Sequence, residues 1–121
     1  MGEISFLVQG SAEEPYRVTF RKNGNSLNAY CTCPAGENGQ YCKHRIKILG
    51  GITHGIISGN EAELQVVALW LQGTDMESAL NAFNDAEEQY ERAKLELAGA
   101  KKRLARTFLE MKTSGSKRKA P

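Results

Sequence analysis

An α+β fold is predicted for this chain: a small three-stranded antiparallel sheet with a Cys-x-Cys/Cys-x-His site, followed by helices that include a long C-terminal one. Three observations predict it. Apolar residues alternate at period two in three stretches between residues 3 and 31, as half-buried strands require. All three cysteines and one of the two histidines fall between Cys31 and His44. From Met76 to Lys112 no proline intervenes, and large apolar residues recur every seven positions.

The first strand is read over residues 3–9, with Ile4, Phe6 and Val8 on one face and Ser5 and Gln9 on the other. A polar break from Gly10 to Pro15 precedes a second strand, in which Tyr16, Val18 and Phe20 alternate with Arg17, Thr19 and Arg21. Asn23-Gly24 supplies the positive φ of a tight hairpin. The returning strand, Ser26 to Cys31, puts Leu27, Ala29 and Cys31 on one face and Asn28 and Tyr30 on the other. It delivers the cysteines.

In extended chain, residues two apart point to the same side, so Cys31 and Cys33 can offer both sulfurs to one ion. Pro34 stops the ladder, and Pro34 to Gly39 reads as a turn-rich loop that folds the chain back. On a helix Cys42 and His44 would diverge by about 200°. Cys42 is therefore placed just before a helix and His44 in its first turn. Three thiolates and an imidazole make a closed tetrahedral set, for which Zn²⁺ is the first candidate. A structural use follows, since no coordination position is left for water.

Other readings of these residues are weaker. Three cysteines cannot all pair within one chain, and no signal pattern is read at the N-terminus, which argues against a secreted disulfide framework. A Cys42/His44 catalytic dyad has no orienting group or oxyanion loop, so the chain is not read as an enzyme. A redox Cys-x-Cys pair leaves Cys42 and His44 unexplained. Buried thiols with a satisfied histidine would make the clustering accidental. His54 lies in a Gly-rich segment and is read as a loop residue.

The pattern Cys-x-Cys, loop, Cys-x-His, preceded by a strand and followed by a basic and apolar segment, resembles the SWIM zinc-binding domain over about residues 16 to 49. That family occurs inside Mutator-type transposases, bacterial Swi/Snf-type ATPases, a MEK kinase and recombination accessory proteins. The resemblance implies Cys31, Cys33, Cys42 and His44 as ligands, and a module that binds nucleic acid or protein. The eight-residue gap from Cys33 to Cys42 falls within the family's range. Gly50-Gly51 shortens the apolar helix expected after the last ligand.

Gly50 to Gly59 holds too much glycine for a helix and reads as a connector whose Ile52, Ile56 and Ile57 tuck against the core. Asn60 and Glu63 then resemble a capping box for a covering helix whose face is Leu64, Val67, Ala68 and Leu71, widened by Val66 and Trp70 and ended by Gly73. Thr74 and Glu77 form a second box, opening a helix of about 55 Å. Along it Phe83, Tyr90, Leu97, Leu104 and Met111 repeat, each followed after three residues by Ala86, Ala93, Ala100 or Thr107 where the helix continues. Close helix-to-helix packing is the first reading, and docking on its own domain the second.

The organisation read from these signals is a SWIM-type sheet module at 1–59, a covering helix at 60–73, a long helix and possible coiled coil at 74–112, and a disordered basic tail at 113–121. Formal charge is only +2. Its distribution says more: between Tyr16 and Gly59 the bases Arg17, Arg21, Lys22, Lys43, Arg45 and Lys47 face one acid, Glu37. Arg17, Arg21, Lys43, Arg45 and Lys47 are the candidate nucleic-acid contacts, with a solvated face as the plainer explanation. The long helix is acidic first (Asp75, Glu77, Asp85, Glu87, Glu88, Glu91) and then basic (Lys94, Lys101, Lys102, Arg103, Arg106, Lys112). The expected partners are DNA or another nucleic acid, or a larger protein in the manner of an adaptor, with a homodimer possible through residues 76–112. No apolar run is long enough for a membrane span. An intracellular, cytoplasmic protein is expected, nuclear if eukaryotic.

Overall fold

The computed structural model describes residues 2–114, with side chains through residue 109. The chain divides into two units, Met1–Leu80 and Asn81–Pro121. In the first, β1 (Gly2–Val8), β2 (Tyr16–Asn23) and β3 (Ser26–Cys31) form an antiparallel meander in that order. The alternation does what its period requires. Ile4, Phe6, Val8, Val18, Phe20, Leu27 and Cys31 are buried on one face. Register aligns them in rows, one of which runs Phe6, Val18, Cys31, so the buried row ends at the first cysteine. The Phe6 and Phe20 rings meet edge to face with centroids 6.2 Å apart.

Asn23 pairs with Ser26, leaving Gly24 and Asn25 as the hairpin loop. Only Gly24 has positive φ there, 62°, the pattern of a type II′ turn. On the solvent face Ser5 and Thr19 hydroxyls lie 2.8 Å apart, and Arg21 donates to Glu3 at 2.8 Å.

The segment Pro34 to Gly39 differs from the sequence reading. Its first four residues form a helical turn, α1 (Pro34–Glu37), with proline at its start and the Cys33 sulfur accepting the Gly36 N–H at 3.3 Å. Next comes α2 (Lys43–Leu49), preceded by Cys42, with His44 in its first turn as spacing requires. It stops where Gly50-Gly51 occurs. Gly51, at φ 80°, donates to Ile48 O, and Ile52 donates to Lys47 O, the two bonds of a Schellman cap.

The connector partly follows expectation. Ile56 is buried and bridges to Val8, but Ile52 and Ile57 are exposed. Backbone bonds Gln9 N to Gly55 O and Ile57 N to Leu7 O, each 2.8 Å, instead cover the free edge of β1. Asn60 departs from the capping reading for the same reason. Its amide donates to Ser5 O at 2.9 Å and to Glu63, tying the connector to β1, while residues Glu61–Glu63 form a 3₁₀ turn.

Helix α3 (Leu64–Leu71) follows, burying Leu64 and Val67 with Trp70 and Leu71 half-covered. Val66 and Ala68 are exposed, so the stripe is narrower than the spacing suggested. Lys22 Nζ donates to Trp70 O at 3.0 Å, placing a cation at the helix's C-terminal end. Gly73, at φ 78°, completes the turn into α4 (Asp75–Ser114). There Thr74 Oγ1 accepts the Glu77 N–H at 3.2 Å and Glu77 Oε1 accepts the Gly73 N–H at 2.9 Å, close to the expected box. In the second unit the described side chains of Tyr90, Leu97 and Leu104 are 62%, 56% and 56% exposed. Met111 and Lys112 side chains, and residues 115–121 of the expected basic tail, lie outside what is described.

Candidate metal centre

The first two ligand candidates are placed by an extension of the sheet beyond β3. Arg17 N donates to Thr32 Oγ1 at 2.9 Å, and Thr32 N donates to Arg17 O at 3.1 Å, so the residue between Cys31 and Cys33 is held to β2 from both sides. Both sulfurs then turn to the buried face. The α1 turn carries the chain back, and Arg45 closes the return by donating to Ala29 O at 3.1 Å and to Gln40 O. That brace joins α2 to β3 and to the segment just before Cys42. It positions the second pair.

The result is one cluster: Cys31, Cys33, Cys42 and His44 present ligand atoms all within 4.8 Å of one another, three buried and the histidine half-buried. Cys31 Sγ lies 3.7 Å from His44 Nδ1, Cys42 Sγ 3.5 Å from the same nitrogen, and Cys33 Sγ 3.4 Å from Cys42 Sγ. Zn²⁺ at about 2.3 Å from sulfur and about 2.0 Å from nitrogen implies tetrahedral edges of roughly 3.8 Å (S–S) and 3.5 Å (S–N). The three separations above lie close to these edges, and no ligand atom of the cluster is more than 4.8 Å from another. All three thiols are free, and donor type, number and spacing fit Zn²⁺ bound through Nδ1.

Electrostatics agrees with a site that binds a cation. Burial pushes the Cys31 thiol up to about 12, so without a counter-charge it keeps its proton. Burial also opposes ionisation of Cys42, yet the Arg45 backbone N–H, with Cys33, His44 and Cys31, draws it down to about 6. A divalent ion reverses the penalty at Cys31, because a coordinated thiol is deprotonated outright. The Gly36 N–H to Cys33 supports that sulfur from outside the ligand set. The Tyr16 ring packs against the His44 imidazole with centroids 4.9 Å apart. The cysteines belong to the same buried cluster as Phe6, Val18 and Ile48, so the ion would be part of the core.

Residues 16–50 match the SWIM zinc finger family. The match covers less than half of the chain and includes all four cluster residues. No curated protein and no solved structure matches the chain.

The basic residues of the finger do not form one patch. Arg17 and Arg21 line the solvent face of the sheet, where Arg21 is paired with Glu3 and lies over the Tyr30 ring at 5.4 Å. Lys43 and Lys47, one turn apart on α2, line a cleft of about 370 Å³ with His44 and His54. Arg45 faces inward to two carbonyls, as above. Its position in the Cys-x-His-Arg run gave no sign of this bracing role; nor did the sequence mark Gly36 as a residue packed against Cys31. His54 remains outside the ligand cluster. Among the described residues no helix is long and apolar enough to cross a membrane.

Proposed function

We propose that this protein is a zinc-stabilised binding module that engages nucleic acid as an accessory factor, and that it is not an enzyme. Support for the structural role of zinc comes from a set of four protein ligands, three thiols and an imidazole, which together complete a four-coordinate zinc site and leave no position for a reacting water. The observation that carries the nucleic-acid reading is charge: from Tyr16 to Gly59 the only acid is Glu37, while Arg17, Lys43 and Lys47 are exposed and, among the described residues, in no ion pair. Such cations release counterions from a phosphate backbone without reading bases. Weak sequence selectivity follows. Two copies joined through residues 76–112 would present two fingers to one strand and gain affinity from effective concentration.

The test is fluorescence anisotropy of single- and double-stranded DNA and RNA across a salt series. Lys43→Glu with Lys47→Glu is expected to weaken binding about tenfold or more at low salt, and to lower the salt slope by about two, with zinc content unchanged. Arg45 is a poor probe, since its loss would loosen the finger. A zinc-loaded sample that binds none of these nucleic acids at low salt would remove the reading. The exposed apolar positions of α4 would then favour the second one, an adaptor that binds protein.

A further inference from the structure

The side chains along α4 alternate in size as well as in polarity. Tyr90, Leu97 and Leu104 are exposed, and so are Ala93, Ala100 and Thr107, each three residues after one of them. Large and small positions therefore share one seam at heptad spacing. We propose that this seam is the interface between two copies of the chain, running antiparallel, with Tyr90 of each over Ala100 of the other and Leu97 over Ala93. The proposal depends on neither zinc nor nucleic acid.

Size sets the direction. In a parallel pair each layer stacks like on like, tyrosine on tyrosine and then alanine on alanine, so the gap demanded between axes would alternate between wide and narrow. Reversing one helix places every large residue against a small one, and a single close separation satisfies all layers. Charge selects the same direction independently. Asp85, Glu87, Glu88 and Glu91 occupy one half, and Lys101, Lys102, Arg103 and Arg106 the other. Parallel copies would put acid beside acid. Reversed copies centred near residue 95 put each acidic half beside a basic one, with Glu87 beside Lys101 at both ends of one flank. Within one helix the described ion pairs, Arg92 with Glu88 at 3.9 Å and Lys94 with Glu91 at 3.5 Å, involve neither Glu87 nor Lys101. A helix complementary to its own reverse in size along the seam, and in charge toward both ends, has a second copy as its matching partner.

Sedimentation equilibrium of the full chain, with zinc measured on the same samples, tests this. A dimer is expected. Lys101→Glu or Glu87→Lys alone should weaken it roughly tenfold, because two attractions become two repulsions, and the double exchange should restore it to within about twofold. Only the antiparallel register predicts that rescue: on one helix the two positions are about 21 Å apart. Ala100→Leu gives a second measurement that preserves helix propensity. It should weaken the antiparallel pair about tenfold by crowding Tyr90, whereas a parallel pair would gain a Leu-on-Leu layer and tighten. A monomer at concentrations up to about 100 μM, a double exchange without rescue, or a tighter Ala100→Leu dimer would each overturn the proposal.

Discussion

Cys42→Ser is expected to lower zinc affinity by at least about a hundredfold and to loosen the unit Met1–Leu80 as a whole. Structural zinc sites bind with roughly 10–16 kcal/mol over four ligands, so one thiolate carries about 3 kcal/mol or more. Cys42 sits where that loss spreads. Its sulfur approaches both Cys33 and the His44 imidazole, and it belongs to the buried cluster that includes Val18, Ile48 and Val67. Competition with a chelator measures the affinity, and near-ultraviolet circular dichroism of Trp70 reports on the packing of α3. Helix α4 provides an internal comparison, because its far-ultraviolet signal should persist. Unchanged zinc affinity in this variant would mean that the metal binds elsewhere.

Gly36→Ala should destabilise the finger by about 3 kcal/mol, a large effect for one methyl group. A Cβ at this position would lie 2.5 Å from the Cys31 carbonyl oxygen and 2.7 Å from the Cys31 Cβ, too close for either to stay in place. The obstructing atoms are the end of β3, which is fixed by the Thr32–Arg17 bonds, so α1 must lift. Lifting it breaks the Gly36 N–H bond to Cys33 and opens the ligand set, with a roughly tenfold loss of zinc affinity expected alongside. Gly39→Ala is the control. Gly39 has φ 69° but open space around it, so that change should cost about 1 kcal/mol of backbone strain and leave zinc affinity alone. Denaturant melts of the zinc-loaded proteins decide between them. Equal losses for the two variants would contradict the contact.

The parts legible in the sequence were those written in a period or a spacing. Strand alternation predicted which face of β1, β2 and β3 is buried, because a side-chain period of two leaves no other choice. The Cys-x-Cys and Cys-x-His spacings predicted a strand end and a helix start, and both are found. The rest depended on contacts between distant segments. Asn60 carries a capping signature, yet Ser5 lies within reach of its amide only after the connector has folded along β1. Ile52 and Ile57 looked like core for the same lack of a partner, and only Ile56 falls opposite Val8. Arg45 resembled its basic neighbours until the return of α2 brought it to the Ala29 carbonyl.

The most direct measurement of the central claim is metal content with coordination: elemental analysis and zinc-edge X-ray absorption on protein purified without added metal. One zinc per chain is predicted, with three sulfur and one nitrogen neighbour, retained on dialysis at pH 8. Dialysis at about pH 4, with both Cys31, pushed up to about 12, and Cys42, drawn down to about 6, protonated once the ion leaves, should release it. A protein that carries no zinc, takes none up, and melts at the same temperature with or without a chelator would contradict the account.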